Sequence, residues 1–163
     1  MSRLPVKRQR ERRAKPEKRQ RLPLRDARAT VHYLHPEPGT PHVVQLFLSP
    51  TQQHMRATVF QKDGDWFACP RTAGMVRHYM SKVTGRFVVR PGHIIARMYL
   101  NAVDLRRNGM EIISHECTHA GMAWARLRGA NLRQMPGEEV LCYATGRMAR
   151  QVNRIGQIHR IWA

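Results

Sequence analysis

The chain has 163 residues, room for one globular domain and a tail. Its 29 Lys and Arg against 11 Asp and Glu leave a formal charge of +18, which predicts attraction to polyanions, nucleic acid first, and says nothing about fold. No apolar run is long enough to span a bilayer, no secretory signal opens the chain, and three cysteines without a CxxC pair argue against a disulfide scaffold, so the composition reads as cytoplasmic.

Residues 1–28 hold 12 basic and 3 acidic residues, with Pro5, Pro16 and Pro23 interrupting any helix. Such a segment offers too little apolar surface to offset its ordering entropy, so a disordered arm is expected. Its charge density suits non-specific contact with nucleic acid; the alternative is a solubilising tail. Residues 30–41, rich in Pro and His, read as linker, and the spacing of His32 and His35 fits no metal-ligand pattern. Residues 1–41 are thus tail and linker, and residues 42–163 the folded domain.

Within that domain, residues 43–48 form an apolar run expected to be a buried strand. Ser49 as N-cap and Pro50 at the first helical position predict a helix to about Gln61. Asp63, Gly64 and Asp65 signal a turn. Residues 84–90 and 93–100 read as strands separated by Pro91 and Gly92. In the second, Ile94, Ala96, Met98 and Leu100 share one face, and His93, Ile95, Arg97 and Tyr99 the other. Asn108, with Glu111 three residues on, predicts the start of a helix that runs to about Arg128 and is ended by Gly129. Pro136 opens a last helix to about Asn153.

The chemistry is carried by the first of these two helices. His115 and His119 are four residues apart, so both imidazoles leave one face about a turn apart, a spacing that lets two nitrogens reach one zinc ion at about 2.0–2.1 Å. Glu116 projects beside such a metal, where it can take the proton of a zinc-bound water, whose pKa the metal lowers towards about 7. Glu138 and Glu139 lie 19 and 20 residues beyond His119, at the start of the next helix.

The pair of segments HECTH and GEEVLCYATG resembles the gluzincin class of zinc metallopeptidases, in which HExxH on one helix is completed by a Glu on a later one. It is also similar to the zincin-like domain of some plasmid and phage antirestriction proteins, where a Glu-Glu pair opens the ligand helix. The resemblance covers about residues 93–153. In the gluzincin class the ligand Glu is followed by an apolar residue, a small residue and an Asp at two, three and four positions on. Glu139, Leu141 and Cys142 follow that order, and Tyr143 stands where the class has Asp. Helical periodicity instead groups Glu138 with Leu141, Thr145, Met148 and Val152. The motif is followed here.

The resemblance implies an α+β, zincin-like fold, a small sheet packed on two metal-bearing helices. It implies zinc held by His115, His119 and Glu139, Glu116 as general base, and hydrolysis of a protein or peptide substrate. Residues 93–100 are the expected edge for an extended substrate. The competing class is a nucleic-acid-binding, antirestriction-like protein with a structural or inactive zincin domain. Cys117 and Cys142 read as small buried hydrophobes. Arg147, Arg150 and Arg154 recur at helical spacing, as either a solvated face or a phosphate-binding one.

Overall fold

The computed structural model of the chain describes residues 29–64, 73–89 and 93–162; the basic arm of residues 1–28, Asp65, Cys69, Arg90, Pro91 and Gly92 lie outside them. The elements in order are β1 (Thr30–Leu34), β2 (Val43–Ser49), α1 (Gln52–Asp63), β3 (Gly74–His78), β4 (Met80–Val83), β5 (Arg86–Val89), β6 (Ile94–Asn101), α2 (Ala102–Leu127) and α3 (Met135–Ile158). The fold is mixed α+β. One sheet has the order β1-β2-β6-β3, with β2 and β6 parallel and the outer pairs antiparallel, and β4 and β5 form a separate two-stranded sheet.

Strand periodicity sorts the core into two layers. Val44, Leu46 and Leu48 of β2, with Ala96, Met98 and Leu100 of β6, face α2 and α3 and join Ile113, Ala120, Met148 and Val152 there. Phe47 and Tyr99 point the other way, stacked with ring centroids 5.0 Å apart, and are covered by Met55 and Val59 of α1. The alternation expected of residues 93–100 holds from Ala96 to Leu100 and breaks before it: a register shift opposite Val43 and Val44 turns Ile95, expected on the Tyr99 face, into the core of Ala96, Met98 and Leu100. The expected edge position is not found, because β6 pairs on both sides, with β2 and with β3. Among the described residues the edges are β1 and β3.

Other boundaries also differ from the sequence reading. Residues 30–34, read as linker, form an edge strand paired with β2 whose only fully buried side chain is Leu34. A strand needing one core residue leaves little apolar signal. Ser49 is the last residue of β2, and Thr51 caps α1 instead, its hydroxyl accepting the N–H of His54 at 3.3 Å. Asn108 marks a kink (φ −136, ψ 39) inside α2 rather than its start. That start is capped by Asn101, which accepts the N–H of Asp104 at 3.0 Å. Thr84 and Gly85, with φ 48 and 83, turn β4 into β5, where a longer single strand was expected. Gly129 (φ 67) follows the end of α2 as its spacing implies. No helix among the described residues is long and apolar enough to cross a membrane.

Candidate metal centre

Helix α2 turns Ile113, Cys117, Ala120 and Trp124 into the core, which leaves His115 exposed and His119 half-buried at the rim next to β3. Their Nε2 atoms lie 3.2 Å apart, with the rings edge-on at 79°. A zinc ion 2.0–2.1 Å from both nitrogens would subtend about 103° at this 3.2 Å separation, near the tetrahedral angle. The separation of the two nitrogens therefore matches the bite of a single zinc ion. A similar separation, 3.1 Å, recurs between His32 and His159, so nitrogen spacing alone does not single out the α2 pair; Glu116, which interacts electrostatically with His115, does.

Glu116 is 6% exposed and rests against the backbone of β3. A Cβ added at Gly74 would lie 2.8 Å from Cγ of Glu116 and 3.0 Å from Cδ and Oε1. Burial raises the pKa of this carboxyl, and the nearby His115 opposes that rise. Glu116 thus holds a proton more readily than a solvated glutamate does. His115, Glu116 and Gly74 line one end of a cleft of about 650 Å³ that continues past Glu111 to Arg107, Asp104 and Gln52.

His78 at the end of β3 ties the strand to the helix. Its Nε2 donates to the carbonyl of His119 at 3.0 Å, and Nη1 of Arg126 lies 3.4 Å from its Nδ1. Burial lowers the His78 pKa, the bond to the His119 carbonyl opposes this, and Arg126 and His119 add to the lowering. A neutral ring with its proton on Nε2 satisfies both contacts. His119 is also lowered, by burial and then by His115 and Arg126, which favours the neutral form a metal ligand needs. Neither Gly74 nor His78 carries a sequence signal, because their partners on α2 lie about forty residues away and belong to no shared motif.

The expected third ligand is not brought to the histidines. Helix α3 packs on α2 through Leu141 and Thr145: a Cβ at Gly121 would lie 2.5 Å from Oγ1 of Thr145 and 3.0 Å from Cδ1 of Leu141. The Thr145 hydroxyl donates to the carbonyl of Cys117 at 3.5 Å. His119 is two residues from both Cys117 and Gly121, so it leaves α2 on the side away from α3. Glu139 is exposed and lines a different groove, with Trp124, Arg128 and Tyr143. Glu138 shares the stripe of Leu141 but is likewise exposed on α3. Among the described residues no three His, Cys, Asp or Glu side chains are grouped to hold a metal. Spacing along the chain set only how far α3 reaches, while the close fit at Gly121 set which face it turns inward.

The cysteines divide. Cys117 is fully buried, its thiol pushed up to about 12 by burial and then by Glu116, and behaves as a small hydrophobe. Cys142 is exposed, contrary to the sequence reading, because it falls beside the stripe of Leu141, Thr145 and Met148 that faces inward. Comparison of the chain with protein-family models, curated proteins and solved structures finds no match.

Proposed function

We propose that the chain is a zinc-dependent metallopeptidase of the zincin type, working in the cleft between α2 and β3. The observation that carries this reading is the join of two features: a pair of imidazole nitrogens at the bite of one zinc ion, and a buried carboxylate one residue away. Zinc held by His115 and His119 supplies Lewis-acid activation of water at neutral pH. His115 and His119 would be two of the three protein ligands that catalytic zinc sites use.

Glu116 is the general base. Its carboxylate accepts a proton from the attacking water and returns it to the amine that leaves, and its raised proton affinity suits both transfers. Gly74 packs against the Glu116 side chain and leaves it little room to move. Among the described residues β3 is paired on one side only, so it takes the substrate-docking role that residues 93–100 were expected to have. Among the described residues Cys117 and Cys142 are free thiols, which suits the reducing cytoplasm that the composition points to.

The test is elemental analysis joined to hydrolysis of fluorescein-labelled casein. Purified protein should carry about one zinc per chain, and His119→Ala should lose it. Glu116→Gln should keep zinc and lose hydrolysis by about 10²- to 10⁴-fold. Equal activity of that variant and wild type removes Glu116 from the mechanism.

A second reading, a nucleic-acid-binding protein with a zincin-like but non-hydrolytic domain, is favoured by one observation: α3 turns no carboxylate towards the histidine pair. Wild-type protein with little zinc and no cleavage of casein would put this reading first.

A further inference from the structure

Helix α3 carries a second surface that the hydrolytic reading leaves unused. Tyr143, Arg147, Arg150 and Arg154 follow one another at four, three and four residues, which places them within an arc of about 60° along about 16 Å of helix. Arg150 and Arg154 are exposed, and none of the ion pairs among the described residues involves any of the three arginines. All the acidic residues of α3, Glu138 and Glu139, lie before this stripe.

Arginines on a helix face open to solvent need no ligand to explain them. Tyr143 is different. Its side chain is a large aromatic, 74% exposed at the head of the basic stripe, with no core to join. Beside it runs a groove of about 370 Å³ walled by Trp124 and Pro36. The guanidinium of Arg128 sits 5.7 Å from the Trp124 ring and 4.0 Å from Glu37, so its charge is already partly answered.

We propose that this face binds single-stranded nucleic acid, with Tyr143 stacking on a base and Arg150 and Arg154 contacting phosphates. An exposed ring needs an unpaired base to stack on, and guanidinia at helical spacing beside it supply the phosphate contacts. Glu139, one turn before Tyr143, sets the direction, because a polyanion laid along α3 must run from Tyr143 towards Arg154. The groove at this face shares no lining residue with the cleft of His115 and Glu116, so the inference does not depend on the peptidase reading.

Fluorescence anisotropy tests it, using the full chain with a labelled oligothymidylate of about 20 nucleotides and, separately, a duplex of the same length. Tyr143→Ala should weaken binding to the oligothymidylate by about 5- to 150-fold and leave duplex binding unchanged. Joint Arg150→Gln and Arg154→Gln should flatten the slope of log K against log[salt] on the single strand by about 1.4. The basic arm adds the same background to every protein compared. Melting temperatures equal to wild type would show that these exposed substitutions leave the fold intact. Wild-type affinity and slope in both variants overturns the proposal, as does an equal loss on duplex and single strand in Tyr143→Ala.

Discussion

Gly74 of β3 and Glu116 of α2 are in such close register that one methyl group on the glycine would stand 2.8 Å from Cγ of the glutamate. Gly74 has no left-handed backbone to protect, so space alone decides what this position tolerates. Gly74→Ala must push aside a side chain trapped between strand and helix, at a cost of about 1–3 kcal/mol. In a Glu116→Ala background the obstacle is gone, and the same substitution should cost close to nothing. Urea denaturation of the four proteins reads the coupling. Additive costs would show that the clash lies elsewhere.

The orientation of α3 makes a claim opposite to the one its motif suggests. Glu139→Ala and Glu138→Ala should each keep the zinc content of wild type, while His119→Ala loses it, because Leu141 and Thr145 occupy the face turned towards α2. Elemental analysis of the three purified variants decides. Zinc lost on substituting Glu139 would mean that α3 rotates about its axis when metal binds.

Asp63, the last residue of α1, should be costly to remove. Its side chain is 1% exposed and accepts bonds from Nη1 of Arg97 at 2.6 Å, the Tyr99 hydroxyl at 2.7 Å and the Tyr79 hydroxyl. Burial and then Asp63 push the Tyr79 phenol up to about 12, and the same causes raise Tyr99. Asp63→Ala strands Arg97 and two hydroxyls between α1 and the sheet. A loss of about 3 kcal/mol is expected, the low end for a broken buried pair because Arg97 keeps some contact with water. Asp63→Asn keeps the shape and should cost about 1–3 kcal/mol. A change below about 0.5 kcal/mol for Asp63→Ala, the range of ordinary surface positions, would refute the role of Asp63 as a buried hub.

Mild acid should weaken the fold through two histidine pairs. Burial, then the nearby His159, lowers the pKa of His32; burial, then His93, lowers that of His42. The Nε2 atoms of His32 and His159 are 3.1 Å apart, with Oγ1 of Thr30 at 3.2 Å, and the rings of His42 and His93 have centroids 5.4 Å apart. Folded values below the usual value of about 6.5 mean that the unfolded chain takes up these protons first as pH falls. Stability is therefore complete above about 6.5 and is lost as pH drops from there towards the folded values. The urea midpoint should fall between about pH 7.5 and pH 5, and fall less in a His32→Gln, His42→Gln variant. An equal fall in both proteins would assign the effect to other groups.

What the sequence alone determined about this protein is local. The shared face of His115 and His119 follows from 3.6 residues per turn, Glu116 beside them follows from adjacency, and the two faces of residues 96–100 follow from strand alternation, which fails at Ile95 where the pairing with β2 shifts register. Each of these needs only the geometry of one element. The tertiary structure decided everything that joins two. Asp63 reads as a turn residue until Arg97 and Tyr99 close over it, and Gly74 carries no signal at all until the side chain of Glu116 is found against it. Glu139 is at the right distance along the chain to reach a metal, and only the packing of Gly121 against Leu141 and Thr145 turns it into another groove. Spacing fixes a residue's angle on its own helix, but the rotation of that helix against its neighbour is set by which side chains interlock, and those contacts lie between residues that no short motif links.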